Sequence, residues 1–422
     1  MKFVLACYGT RGDVEPCAAV GRELLRRGHD VRVAVSPDLV DFAESAGLSP
    51  TAYGPELQSF VDAQRKLLTC FVHSPWRIQK LRRLGREVRE LGMQWRREVL
   101  TTLTSLAEGA DLLFTGLNFD DAAVNVAEYY DIPLATLHFV PVRANGQLVP
   151  FLPSPLIRSA MTVNEWAQWQ IAKKLDDAQR RQLGLPTATA RPPRRIAERG
   201  SLEIQAYDQV CFPGLAAEWA RFNGQRPFVG ALTLQLPTDA DQEVAAWIAE
   251  GTPPIFFGFG SIAVESAADT LTMISAACAQ LDQRALVCAA GTDYSHAPQF
   301  DHVKVVDTMN FAAAFPSCAA LVHHGGAGTT AAGLRAGVPQ LILSTDLDQS
   351  LWGTRVKRLQ VGTARRFSTT TQQSLVADLR TILTPDYAAR ARQIASQMTT
   401  PAESITTAAD LLEDFARRRR VS

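Results

Sequence analysis

The chain has 422 residues, 46% of them hydrophobic and 20% charged, which is the balance of a globular protein long enough for two ordinary cores. Its 43 basic and 43 acidic residues cancel, arguing against a protein that binds polyanions with its whole surface. Seven scattered cysteines without a C-x-x-C spacing argue against a disulfide scaffold, and Cys7, Cys278, Cys288 and Cys318 sit in apolar runs as small buried hydrophobes. The apolar N-terminus is too short for a signal peptide and no stretch approaches a membrane span of ~20 residues, so a cytoplasmic protein is expected, at most peripheral at the inner membrane face.

In chain order, "KFVLACYG" is a continuous apolar run ended by glycine, the pattern of a buried parallel strand. "VEPCAAVGRELLRRGH" has apolar residues at helical spacing, basic residues in its last turns and Gly28 as a stop; "DVRVAVS" is the next strand. Strand, helix, strand predicts a parallel, doubly wound α/β sheet. Residues 65–98 break the rhythm with a basic helical stretch in which Trp76, Leu84 and Trp95 alternate with arginines. That stretch reads as a solvated helix face or as a basic-aromatic surface for an amphipathic or membrane-associated acceptor, with Trp76 a candidate contact.

The α/β alternation resumes at "ADLLFTG", "DDAAVNVAEYYD" and "IPLATLHFV", and returns in the second half from "PPIFFGFGS" through "RALVCAAG", "HVKVVD", "AALVHHGG" and "VPQLILS". The Gly/Pro-punctuated "RFNGQRPFVGALTLQLPTD" carries no helical period and marks a boundary. The expected organisation is two Rossmann-like domains, residues 1–225 and 226–400, followed by a C-terminal helix at 401–422.

Three strand-to-helix turns could carry chemistry. In "ACYGTRGDVEP" the turn holds Gly9, Thr10 and Gly12, and a helix starts near Val14; Asp13 is then a capping aspartate or a general base at a strand's carboxyl edge. "GFGSI" brings Ser261 to a similar edge. In "LVHHGGAGTTAAGLRAG", His324, Gly325, Gly326, Gly328, Thr329 and Thr330 lie between a strand and a helix, whose N-terminal amides and dipole suit a diphosphate. His324 and Thr329 can donate to phosphate oxygens, whereas His323 reads as strand-end packing. Asp348 and Gln349 arrive at the next carboxyl edge, where an acid beside an amide can hold sugar hydroxyls. The ligand these features suggest is a nucleotide-diphosphate sugar. His138 ends a first-half strand and either lines an acceptor surface or is a buried structural histidine.

"HHGGAGTT", a helix, "GVP" and "DQ", together with "GTRGDVEP" near the N-terminus, resemble the family-1 glycosyltransferases of GT-B fold, in particular the bacterial branch acting on glycopeptides, sterols and lipids. The resemblance spans nearly the whole chain and implies two Rossmann-like domains facing a cleft. It implies Asp13 as catalytic base, with Thr10 and Gly12 in its loop, and Ser261 at the diphosphate. It further implies His324, Gly325, Gly326, Gly328 and Thr329 as the phosphate turn, and Asp348 with Gln349 at the donor sugar. The base is expected against "VVDTMNF" with Val306 as a wall; plant members place a tryptophan there and this chain does not, leaving uracil and thymine both open.

The expected activity is an inverting transfer of a hexose or deoxyhexose from a UDP- or dTDP-sugar to a hydroxyl of a hydrophobic acceptor (lipid, lipopeptide, sterol or natural product), with no metal and no nucleic acid. "DLD" at 346–348 is a coincidental match to a metal signature, because Asp348 is assigned to the sugar. The alternatives are a non-catalytic sugar-nucleotide-binding activator of another transferase and a sugar-nucleotide epimerase.

Overall fold

The computed structural model describes residues 1–56, 78–148, 152–260 and 266–421. They form two compact units, one of Met1–Ala206, Gly214–Leu232 and Ala402–Ser422, the other of Tyr207–Pro213 and Thr233–Pro401. The change at Leu232 falls slightly beyond the boundary drawn from the sequence after residue 225, and the short Tyr207–Pro213 segment belongs to the second unit.

The first unit is built on six parallel strands: β1 (Lys2–Cys7), β2 (Asp30–Val35), β3 (Pro50–Ala52), β4 (Leu112–Thr115), β5 (Leu134–His138) and β6 (Leu202–Gln205). Their spatial order is β3-β2-β1-β4-β5-β6, so the order reverses between β1 and β4. Phe3 through Cys7 are completely buried because helices cover both faces of a parallel sheet. The helix Arg11–Arg26 returns the chain from β1 to β2 and ends where predicted, with Gly28 at φ +82°. It starts at Arg11, a turn earlier than the sequence suggested, because Thr10 and not Asp13 is the N-cap.

The long helix Ile78–Ala107 buries Leu84, Trp95, Val99, Leu100 and Leu103 in the core and exposes Arg82, Arg83 and Arg86. Trp95 is therefore a core residue and belongs to no exposed aromatic surface; Trp76 lies outside the described residues. The terminal helix Pro401–Val421 buries Ala408, Ala409 and Leu412, and ties to the first unit through Arg27 with Asp410 and His29 with Glu413, each at 2.6 Å.

The second unit repeats the plan with β7 (Ile255–Gly258), β8 (Ala285–Cys288), β9 (Val303–Val306), β10 (Ala320–His323), β11 (Gln340–Ser344) and β12 (Gly362–Arg366), all parallel. The order is β12-β11-β10-β7-β8-β9, with its reversal between β7 and β10. Short or polar edge strands escaped the sequence reading: β3, β6 (LEIQ) and β12 (GTARR) have no apolar run to announce them. Among the described residues no helix is long and apolar enough to cross a membrane.

Candidate active site

In a doubly wound sheet the loops leaving neighbouring strands at the reversal point diverge to opposite faces and leave a crevice at the carboxyl edge. The "GTRGD" loop occupies that position in the first unit, between β1 and β4. It is held on two sides. The Gly9 N–H donates to Ser36 Oγ at 2.8 Å while the Ser36 hydroxyl returns a bond to the Gly9 carbonyl at 3.0 Å, and Asn118 Nδ2, just past β4, donates to the Tyr8 carbonyl at 2.8 Å. Asp13 sits at the third helical position, where its Oδ2 accepts from the Thr10 N–H at 2.7 Å and from the Thr10 hydroxyl at 3.0 Å. Gly9 has φ +138°, and a Cβ there would lie 2.3 Å from Asp13 Oδ2, so the loop needs glycine both for its backbone and to admit the carboxylate.

The second reversal point carries "HHGGAGTT". His323 ends β10 with no exposed surface, its Nδ1 accepting the Gly325 N–H at 3.1 Å and its Nε2 facing Gln340 Oε1 at 2.8 Å. An accepting Nδ1 carries no proton, so the proton is on Nε2 and is donated to Gln340. Burial pushes the His323 pKa down to about 3, with neighbouring His324 adding to the fall and the Gln340 bond opposing it. Gln340 Nε2 in turn donates to the Thr330 carbonyl at 3.3 Å. His323 is thus a neutral brace for the turn, and Gln340, a polar residue opening a mainly apolar strand, is the part of this network that the sequence reading passed over.

His324 turns the other way. Its ring is flanked by Gly326, where a Cβ would come 2.5 Å from Nε2, and by Gly260 (φ +60°), where a Cβ would come 3.0 Å from Cε1. Nδ1 is buried without a bonding partner among the described residues. Burial lowers the pKa, partly offset by the Gly258 backbone and the Asp346 charge, which favours the neutral ring. Gly326 begins the helix Ala327–Ala336 with no side-chain cap, leaving its first-turn amides to another partner. Gly328 stands in that first turn with nothing within 4 Å of a would-be Cβ.

The helix Leu347–Arg358 follows β11, and Asp346 caps it by accepting the Gln349 N–H at 2.9 Å. The Thr345 N–H and hydroxyl both donate to Gln349 Oε1, at 2.8 and 3.0 Å. With its oxygen engaged, Gln349 offers its NH₂ as a donor, an orientation assigned from these bonds. Asp348 is exposed beside it; partial desolvation of its carboxyl and the Asp346 charge push its pKa up. Val306, at the end of β9, is nearly buried and joins Ala289, Thr292, Tyr294 and Asp307 around an open cavity of about 590 Å³.

The second unit thus brings His324, Gly325, Gly326, Gly328, Thr329, Asp348 and Gln349 to one sheet edge, while Thr10, Gly12 and Asp13 share the corresponding edge of the first. Ser261 lies outside the described residues. His138 does not line an acceptor surface: it is fully buried, with Thr136 Oγ1 3.1 Å from Nε2 and Gln205 Nε2 3.3 Å from Nδ1, and burial pushes its pKa down to about 3. Trp352 is a core residue too, edge-on to Tyr207 and Phe212. Among the described residues no group of three or more His, Cys, Asp or Glu side chains is arranged to hold a metal ion.

Two doubly wound sheets of identical strand order, each with a glycine-bearing loop at its reversal point, define a GT-B-type architecture. Residues 3–102 match the glycosyltransferase family 28 N-terminal domain, and residues 262–413 match the erythromycin biosynthesis protein CIII-like C-terminal domain. An uncharacterized glycosyltransferase of Mycobacterium bovis is 58% identical over the full length of both chains. The fold is shared with the glycotransferase of kitacinnamycin (TM-score 0.73, 17% identity, 98% of this chain and 99% of that one). It is shared also with the glycosyltransferase VinC in complex with dTDP (TM-score 0.63, 19% identity, 99% and 100% covered). The chain belongs to the family-1 glycosyltransferases of GT-B fold.

Proposed function

We propose that the protein transfers a hexose or deoxyhexose, with inversion, from a UDP- or dTDP-sugar to a hydroxyl of a hydrophobic acceptor. The observation that carries this reading is the uncapped helix at Gly326 beside His324, whose Nδ1 is buried with no bonding partner among the described residues. A leaving nucleoside diphosphate gains negative charge as the glycosidic bond breaks. First-turn amides, Thr329 and His324 are preorganised to stabilise that charge without reorganising at the moment of reaction. The dTDP named with VinC is the ligand class such a turn suits.

The donor sugar is assigned to Asp348 and Gln349, one accepting from and the other donating to its hydroxyls, and the base to the cavity at Val306. Asp13 is assigned the acceptor's proton. An alcohol has a pKa far above 7, and a positioned carboxylate that removes its proton as the new bond forms is worth roughly 10²- to 10⁴-fold in rate. The two bonds from Thr10 that complete the helix cap also hold that carboxylate in one orientation, so capping and catalysis are compatible roles.

The test is calorimetric binding of UDP- and dTDP-sugars followed by transfer assays with soluble and lipidic alcohols. Tight donor binding with donor consumption only in the presence of an acceptor supports the reading. Donor isomerised or hydrolysed at the same rate without any acceptor overturns it.

A further inference from the structure

The first unit holds a second polar site, outside every residue assigned to transfer. A cavity of about 200 Å³ is lined by Arg143, Arg158, Arg191, Arg194, Arg221 and Arg226, with Glu165 the one carboxylate in its wall. These arginines come from separate pieces of chain: the segment after β5, the first turns of the helix Ser154–Gln182, the start of the helix Pro192–Glu198, and the strip from Arg221 to Arg226 that runs beside β6. No local sequence pattern announces them as a cluster.

Five of the six spend Nε on a carboxylate. Arg143 and Arg226 share Glu203, at 2.5 and 2.9 Å; Arg158 meets Glu218 at 2.7 Å, Arg191 meets Glu165 at 3.0 Å and Arg194 meets Glu198 at 2.7 Å. Arg143 also reaches Asp120 through Nη2, at 3.0 Å. Pairing through Nε uses one edge of the guanidinium and leaves the terminal nitrogens: among the described residues, Arg143 Nη1 and both Nη atoms of Arg226 have no hydrogen-bond partner. Among the described residues Arg221 meets no carboxylate, and its guanidinium lies over the Phe222 ring, 5.0 Å from the centroid.

Charge points the same way. Six guanidiniums face five carboxylates (Asp120, Glu165, Glu198, Glu203 and Glu218), and burial raises the pKa of Asp120. Burial and the nearby Arg143 charge also pull the Arg226 pKa down, a cost that an anion in the cavity relieves. A planar carboxylate fits one fork. Donors converging from several chain segments fit a tetrahedral oxyanion with three or four acceptor oxygens.

We propose that this cavity beside β6 is a binding site for a phosphate-class oxyanion, free or carried on a larger molecule such as an anionic lipid headgroup. It goes beyond the transfer reading, since no residue of the donor or base machinery takes part.

Arg221→Gln is the informative variant, because Arg221 is exposed and holds no ion pair among the described residues, so its loss leaves the fold and the basal transfer rate unchanged. Binding of inorganic phosphate is measured by calorimetry in the presence of saturating UDP or dTDP, which occupies the diphosphate turn. The expected result is saturable binding that weakens about tenfold in Arg221→Gln, with nucleotide affinity unaltered. A parallel arm uses phosphatidylglycerol and phosphatidylcholine vesicles. Sedimentation with the former only, lost in Arg221→Gln, assigns the phosphate to a headgroup; phosphate binding without vesicle binding assigns it to a soluble ligand. Absence of binding in both arms, or binding indifferent to Arg221→Gln, overturns the proposal.

Discussion

His323 Nδ1 accepts the Gly325 N–H at 3.1 Å, and this one bond decides which of two adjacent histidines serves the ligand. It turns His323 inward, fixes its proton on Nε2 toward Gln340, and leaves His324 beside the bare helix N-terminus. In His323→Ala the Gly325 amide and the Gln340 side chain lose partners in a dry interior, at a cost on the order of 2–4 kcal/mol. Calorimetric unfolding should show the loss in the second unit, with weaker nucleotide-sugar binding. A melting temperature within a degree of wild type would mean the brace is idle.

Gly326 and Gly328 separate sterics from ligand space. Gly326 has φ −60°, which alanine tolerates, so Gly326→Ala acts by pushing the His324 ring aside and should weaken donor binding roughly tenfold with little change in stability. Gly328 meets nothing within 4 Å, so Gly328→Ala should stabilise the helix by about 0.5–1 kcal/mol. If a diphosphate approaches that backbone, the same variant binds donor less well. A more stable protein with undiminished affinity would remove Gly328 from the site.

Asp13 and His324 should fail differently. Asp13→Asn is expected to lower kcat by 10²- to 10⁴-fold while donor dissociation stays near wild type. His324→Ala is expected to weaken nucleotide-diphosphate binding about tenfold or more through the lost donor. Equal loss of donor affinity in both variants would contradict the division of roles.

Acid should destabilise both units through their buried histidines. His138 and His323 ordinarily titrate near 6.5 and are pushed down to about 3, so below pH 6.5 the unfolded chain takes up protons that the folded one refuses. Their contribution is whole above pH 6.5 and is lost as the pH falls toward 3, by about 2 kcal/mol for each histidine at pH 5. Melting temperatures measured between pH 7 and 5 should drop, and less steeply in His138→Gln. An unchanged slope in that variant would show that His138 is protonated in the fold.

The transfer reading rests charge stabilisation on amides, Thr329 and His324. Initial rates measured after exhaustive EDTA treatment should therefore match untreated enzyme within twofold; a large loss restored by magnesium or manganese would require a different account of the leaving group.

Strand and helix periodicity alone yielded both α/β units, because a strand covered on both faces must be apolar throughout and the covering helices must be amphipathic. The polar strips β6 and β12 escaped, since edge strands lack that constraint. "HHGGAGTT" and "GTRGD" were legible as ligand turns because glycines between a strand and a helix start form a local pattern, and the preference for His324 over His323 followed from the place of His323 at the strand end. Why His323 is neutral, why Gly260 and Gly326 are needed beside His324, and why His138 and Trp352 are core residues depended on neighbours distant in sequence. The six arginines beside β6 are the extreme case: scattered from Arg143 to Arg226, they become one site only when the sheet edge and its helices fold together. Composition and spacing are carried by the chain itself; proximity, desolvation and the sharing of one carboxylate by two guanidiniums exist only in the folded state.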